Sequence, residues 1–373
     1  MEYKICSRCV MDTSDPDIHF DSKGVCNHCL RYDAEYPIRV FKGDIAEHKF
    51  KELITKLTKG KKEGKYDCII GVSGGVDSTY VAYLLKQHGV NPLAIHFDNG
   101  WNSELAVSNI EKTLDKLGID LFTYVIDWTE FKDLQMSFLK ASTPDGEIPT
   151  DHAINALLFK EASKRNIKYI VSGMNFATES ISVPSWAYGH SDWKYVKAVH
   201  KIFGTKKLKT YPHFNFLNLF YWTFIKRIQS VSILNYVEYN KDKVRDVLEN
   251  ELGWIYYGGK HYESVYTRFY QGYILPNKFG IDKRKAHLSD LINANQINRE
   301  EALLELKKEP LDKEICERDI VFLLKKFNIT REEFEKIMNA PVKNFKDYPN
   351  KYSKVQKLKK IVNFLRNKGM YSK

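Results

Sequence analysis

The chain has 373 residues, 43% of them hydrophobic and 28% charged, with a formal net charge of +11. That length and balance predict a globular, soluble protein of one large domain with appendages, or of two to three domains. No apolar run is long enough to span a bilayer, and "MEYKICSRCV" lacks the basic-then-apolar order of a secretory leader, so a cytoplasmic protein without membrane association is expected.

Residues 1–40 are rich in Cys, Asp and turn formers and show no apolar periodicity. Within them Cys6, Cys9, Cys26 and Cys29 stand as C-x2-C-x16-C-x2-C, two knuckles of two thiolates each. Such a set closes a tetrahedral shell around Zn2+; an iron–sulfur cluster, or no metal, are the other readings. Zinc is the expectation, and with every position filled by thiolate its role is structural. A cytosolic setting argues against a disulfide framework. His19 and His28 read as surface or supporting groups, and Cys68 and Cys316 as ordinary core or surface cysteines. Residues 41–65 read as a linker helix.

From residue 66 the pattern changes. "YDCIIGV" (66–72), "PLAIHFD" (92–98), "IDLFTYVID" (119–127) and "IKYIVSG" (167–173) are apolar runs of strand length. Helical patterns near 77–88, 103–118, 129–141 and 152–165 separate or follow them. This alternation predicts an α/β fold, a parallel sheet with helices on both faces. The expected domain spans 66–284, with an aromatic-rich insertion around 200–250, and is followed by a helical, charged region over 285–373. Inside the insertion, "FNFLNLFYWTFI" (214–225) reads as a buried helix or an oligomer contact. The lysine runs "KGKKEGK" (59–65), "KKLK" (206–209) and "KVQKLKKIVNFLRNK" (354–368) are solvated faces or a polyanion surface, and composition leaves both open.

"GVSGGVDSTY" (71–80) joins the first strand to its helix. In that position loop amides and the helix N-terminus converge on one anion site. Gly74 and Gly75 allow a phosphate chain close approach, Ser73 and Ser78 add hydroxyls, and Val76 is a further ATP-binding candidate within the loop. Asp77, in the first turn, suits capping or holding Mg2+ beside the phosphates. No Lys follows the second glycine, so this is not the GxxxxGK[ST] loop. SGGVDS in this setting resembles the pyrophosphate loop of the N-type ATP pyrophosphatases. That PP-loop superfamily, adenine nucleotide alpha hydrolase-like in fold, includes GMP synthetase, asparagine synthetase and tRNA-thiolating enzymes. The resemblance implies ATP cleavage between the α and β phosphates, with pyrophosphate held by the loop and AMP placed on a substrate oxygen.

Ligands of open parallel sheets sit at the carboxyl ends of the strands. The resemblance places adenosine-contacting residues at such ends, which makes Asp98 and Asn99 of "HFDNG" (96–100) and Gly173 and Asn175 of "SGMNFATES" (172–180) candidates for that pocket, with Thr178 and Glu179 at its rim. Helix capping is the plainer alternative for Asp98 and Glu179.

Three further stretches carry a second resemblance: "GGKHYESVYTRFYQGYILPNKFGIDKRKAHLSDLI" (258–292), "NREEALLEL" (298–306) and "IMNAP" (337–341). With the cysteine knuckles and SGGVDS they resemble the WbpG- and PseA-like N-acetyl sugar amidotransferases of bacterial surface-sugar pathways, over nearly the whole chain except 200–250. The resemblance implies conversion of an acetamido group on a UDP-N-acetyl sugar into an acetamidino group, for O-antigen or flagellin-glycan synthesis. ATP, Mg2+ and structural Zn2+ would be its cofactors. Lys260, His261 and Glu263 become candidate catalytic groups, with His261 or Glu263 a base for ammonia. Arg268, Lys278, Lys283 and Arg284 become candidates for holding sugar or nucleotide phosphates, and simple packing is the alternative for each. Ammonia would come from a separate glutaminase with a barrel-type partner related to the histidine-pathway pair. Glutamine hydrolysis needs an activated cysteine nucleophile, and the N-terminal-nucleophile type would need Cys where this chain has Glu2. A PP-loop enzyme that adenylates a tRNA base for sulfur or amine transfer is the alternative function. A homo-oligomer stays open, and nucleic acid is not expected as a partner.

Overall fold

The structure, a computed structural model, describes residues 2–59, 65–259 and 261–357. The candidate Lys260, most of the run 59–65 and the basic stretch from 358 onward lie outside the described residues. Strands Cys68–Gly71 (β1), Pro92–Asp98 (β2), Leu121–Val125 (β3), Tyr169–Ser172 (β4) and Gln229–Ser232 (β5) form one sheet in the order β3-β2-β1-β4-β5. Every neighbouring pair is parallel.

Successive strand side chains point to opposite faces, so a strand covered on both faces is apolar throughout. β1 shows this directly. Ile69 joins one core with Leu93, Ile95 and Phe97, whereas Cys68 and Ile70 join the other with Ala94 and Val171. Helices Trp128–Ala141, Ile148–Lys164 and Trp193–Phe203 feed the first core. Helices Gly43–Lys59, Val76–Gln87, Glu104–Leu117 and Lys241–Leu252 feed the second. The α/β fold with helices on both faces is thus the one the sequence predicts.

Three expectations change. Helix Gly43–Lys59 carries Phe50, Leu53 and Leu57 on one face and buries them against the sheet, so it is a packed layer rather than a linker. The stretch 200–250 is not simply an insertion, because Gln229–Ser232 pairs residue for residue with Tyr169–Ser172 and completes the sheet. Those four residues are polar or small and lie on an edge, so no apolar run marks them. "FNFLNLFYWTFI" is not a buried helix either. Trp222 is buried, but Phe216, Leu217, Phe220, Tyr221, Phe224 and Ile225 are exposed.

The N-terminal module and the C-terminal helices dock on each other beside this sheet. Arg299 donates to the carbonyls of Cys6 (3.0 Å) and Cys9 (3.1 Å), and the Val10 amide donates to Ser289 Oγ at 3.1 Å. Lys285 pairs with the buried Asp12 at 2.5 Å. No helix among the described residues is long and apolar enough to cross a membrane.

Candidate active site

The chain runs β1, β2, β3 outward on one side and then crosses to β4 on the other. The carboxyl ends of β1 and β4 therefore flank the switch point at which such sheets bind ligands. The segment 72–75 leaves β1 here and enters helix Val76–Gln87, and Gly173–Glu179 leaves β4. The backbone is tight. Gly74 has φ +79°, and a Cβ on it would meet the Ala106 carbonyl oxygen at 2.5 Å. A Cβ on Gly173 would come within 3.1 Å of the Asp77 backbone, so glycine keeps this close approach free of crowding. Hydroxyls curl the loop over the helix N-terminus: Gly75 N–H donates to Ser73 Oγ and Ser73 N–H to Ser78 Oγ, both at 3.3 Å. Ser78 Oγ donates in turn to the Gly75 carbonyl at 3.2 Å.

A second segment lies across this loop. Trp254 Nε1 donates to the Gly74 carbonyl at 2.9 Å, and Ile255 exchanges two hydrogen bonds with the buried Asn109 amide at 2.8 and 3.0 Å. Further along, Ser103 N–H donates to the Glu263 carbonyl at 2.8 Å. Between these anchors sit Tyr257, His261 and the Glu263 side chain. Glu263 Oε1 lies 3.6 Å from His261 Nδ1, and its Oε2 is buried with no hydrogen-bond partner among the described residues. Burial pushes the Glu263 carboxyl up, but the His261 ring outweighs it and holds the group below its ordinary value. Glu263 is therefore ionised at neutral pH.

From the loop the site opens into a cavity of about 690 Å3. Val76, Thr178 and Glu179 line it beside the loop, Trp186, Tyr256 and Tyr262 add aromatic walls, and Arg245, Lys283 and Arg284 add cations. An anionic ligand with a ring to stack would find both kinds of contact.

The structure brings together Ser73, Gly74, Gly75, Val76, Asp77, Ser78, Gly173, Asn175, Glu179, His261 and Glu263. Asn175 caps the helix Phe176–Glu179 through its Oδ1, and its buried Nδ2 has no partner among the described residues. Asp98 and Asn99 are occupied in a turn. Asp98 Oδ1 accepts from Gly100 N–H at 2.8 Å, and Asn99 bonds Trp101 N–H at 3.1 Å and Thr150 Oγ1 at 3.2 Å. Lys283 lines the cavity, its Nζ 3.6 Å from Glu147.

Three substrate candidates need correction. Arg268 reaches the cavity wall but spends its guanidinium on Asp319, at 2.8 and 2.6 Å. Arg284 likewise forks onto Asp282 and donates to the Glu305 and Lys308 carbonyls. Lys278 does not line the cavity; its ammonium donates to Ser142 Oγ at 2.8 Å and to the Ile337 carbonyl. Burial lowers that ammonium to about 8. Conversely, Tyr239, Tyr257, Trp254 and Arg245 went unnoticed in the sequence. Tyr239 hydrogen-bonds Asp77, Tyr257 and Trp254 touch the loop, and Arg245 lines the cavity.

At the other end of the chain, Cys6, Cys9, Cys26 and Cys29 are buried, and their sulfurs lie within 4.8 Å of one another. Amides of Arg8 (3.4 Å), Cys9 (3.4 Å) and Cys26 (3.2 Å) point at Cys6 Sγ, the arrangement that supports thiolate charge. Four sulfurs so placed fit a tetrahedral Zn2+. His28 stays outside the set and pairs with Asp15 at 2.7 Å.

Residues 67–196 match the family model of the queuosine biosynthesis protein QueC. Residues 263–361 match that of the LPS biosynthesis protein WbpG-like, C-terminal domain. The chain thus matches a PP-loop family model over its sheet and a WbpG-like model over its C-terminal region. An uncharacterized protein of Methanocaldococcus jannaschii is 25% identical over 321 residues, 84% of this chain and 96% of that one. A tRNA-specific 2-thiouridylase MnmA of Fusobacterium nucleatum is 30% identical over 142 residues, 36% of this PP-loop protein but only 39% of the relative. The solved NH3-dependent NAD synthetase of Campylobacter jejuni overlays on 55% of this chain and 84% of its own. Its identity is 13% and its TM-score 0.29, too low to bear on function.

Proposed function

We propose that this PP-loop protein adenylates the acetamido oxygen of a nucleotide-activated N-acetyl sugar and lets ammonia displace AMP, leaving an acetamidino sugar. One observation carries the reading: the WbpG-like stretch 263–361 contributes Lys283, with Gln271 and His287, to a cavity that opens beside the PP-loop. An amide carbon resists ammonia because resonance feeds it. Adenylation of the amide oxygen makes that carbon electrophilic and supplies AMP as leaving group. The loop amides and the Ser73 and Ser78 hydroxyls would receive the charge that develops on pyrophosphate. Asp77 and Glu179, both close enough to act on Tyr239, are the carboxylates that would hold Mg2+, an ion that neutralises phosphate charge. Ionised Glu263, beside His261, would accept a proton from attacking ammonia.

Ammonia would come from a separate glutaminase and its barrel-type partner. Four of the cysteines form the closed cluster, Cys68 lies inside β1, and Cys316 lies within helix Lys313–Phe327. None sits on the strand-to-helix elbow that a glutaminase nucleophile occupies. The isolated chain would therefore use ammonium salts, and glutamine only with partners added.

The decisive experiment incubates the protein with ATP, Mg2+, an ammonium salt and UDP-acetamido sugars, and reads the sugar by mass spectrometry. The mass should fall by the difference between an oxygen atom and an NH group; an unchanged sugar across the panel would refute the reading. The 2-thiouridylase relatives and the net charge of +11 favour a second reading, adenylation of a tRNA base. Copurifying RNA that is modified in an ATP-dependent assay would support it.

A further inference from the structure

Gly75, the second glycine of the loop, is surrounded by oxygen. A Cβ built on it would lie 3.2 Å from Ser73 Oγ, 3.3 Å from the Tyr257 hydroxyl and 3.6 Å from Glu263 Oε1. Ser73 belongs to the loop itself, and Glu263 was a candidate from the sequence. Tyr257 is neither. It arrives from a segment far along the chain and places its hydroxyl against Gly75, next to Val76, whose amide bears on the phenol. That amide opens the helix whose N-terminus a phosphate oxygen would face. The phenol oxygen thus stands where the anion site begins.

We propose that Tyr257 is a catalytic residue of the PP-loop, a neutral hydrogen-bond donor to the pyrophosphate leaving group. Two features make it a donor held in place rather than a lid. The segment is pinned before it by Trp254 and Asn109 and after it by Ser103, so the ring has fixed anchors on both sides. Gly258, with φ +97°, and Gly259 turn the chain immediately after the ring. A donor fixed before the reaction costs no reorganisation as charge develops. Burial and the neighbouring Glu263 carboxylate both push the phenol far above its ordinary value, so it keeps its proton throughout the working range. A phosphate oxygen that takes the Val76 amide stands beside the hydroxyl, which turns its proton toward that oxygen. No bond to Tyr257 forms or breaks; the phenol shares its proton and keeps it.

The inference rests on the PP-loop reading of the site, and the test separates the two. Pyrophosphate with Mg2+ is titrated calorimetrically into the wild type and into Tyr257→Phe, which keeps the ring and the packing, with circular dichroism as the check on folding. Pyrophosphate should bind Tyr257→Phe about tenfold more weakly. AMP- and pyrophosphate-forming turnover should fall on the order of a hundredfold, more than any rise in KM for ATP. Equal or tighter pyrophosphate binding by Tyr257→Phe would overturn the inference, because the hydroxyl would then only fill or block the cradle. A wild type that does not bind pyrophosphate would overturn the PP-loop reading and this inference with it.

Discussion

The hydroxyl of Tyr239 donates a hydrogen bond to Oδ1 of Asp77. The two residues are far apart in the chain and meet at the first turn of the PP-loop helix. Burial and the Asp77 charge together push the Tyr239 phenol well above its ordinary value, so it donates and does not compete as an anion. Asp77 is therefore tethered through its Oδ1, and the Glu179 charge acts on the same phenol. A preorganised carboxylate of this kind contributes most where charge is moving. Asp77→Ala and Ser73→Ala should each lower turnover by about a hundredfold to a thousandfold while the circular dichroism spectrum stays that of the wild type. Release of AMP and pyrophosphate is the readout; sugar-dependent release of ADP and inorganic phosphate would contradict the assignment of the scissile bond.

Arg268 and Asp319 form a two-pronged ion pair with side chains only 11% and 3% exposed. Removing one partner of a buried pair leaves the other charged and unsatisfied. Asp319→Ala should therefore destabilise the fold by about 3–5 kcal/mol in a denaturant titration. Calorimetry should show ATP affinity retained at a temperature where the variant is still folded. An unaltered denaturation midpoint combined with lost sugar affinity would return Arg268 to the role of substrate ligand.

His152 is fully buried between Trp193 and Phe214, stacked on both rings. Its Nδ1 donates to the His190 carbonyl at 2.9 Å, and its Nε2 accepts from the Phe214 amide at 3.3 Å. Both nitrogens are satisfied in the neutral tautomer, and a second proton would face an N–H donor. Burial leads in lowering the ring from 6.5 to about 4. The unfolded chain binds the proton below about 6.5 and the folded chain does not, so stability is lost as pH falls from about 6.5 toward 4. A shift of that size corresponds to about 3 kcal/mol. Denaturation midpoints collected across this range should fall more steeply for the wild type than for His152→Asn. Identical slopes would show that other groups carry the acid sensitivity.

Zinc should be present at one ion per chain in protein purified without added metal. Because Arg299 and Lys285 tie the cysteine module to helices that border the cavity, Cys9→Ser should lower thermal stability as well as activity. Elemental analysis and melting curves check this, and metal-free wild type with an unchanged melting curve would contradict it.

The sheet was legible where apolar runs were long enough to fill both faces. "PLAIHFD" reads as a strand and is one, and SGGVDS marks the turn from β1 into its helix. β5 was hidden because an edge strand of Gln, Ser, Val and Ser has no core to declare. The site was legible only where its residues are neighbours in sequence. Tyr239 and Tyr257 sit among other aromatics, and nothing in their spacing announces that they meet residues 73–77. Arg268 and Lys278 show the converse error. A basic residue in a promising stretch reads as a phosphate ligand until its partner, Asp319 or the Ile337 carbonyl, is seen beside it.

The central claim is that the amide oxygen of the sugar is the atom adenylated, and an isotope decides it most directly. The acetamido substrate is prepared with a heavy oxygen isotope in its carbonyl, and a reaction with ATP, Mg2+ and ammonium is analysed by mass spectrometry of the released AMP. If the oxygen attacks phosphorus and leaves with it, the AMP carries the label and the acetamidino sugar does not. Unlabelled AMP, with the label retained in the sugar or lost to water, would contradict the account.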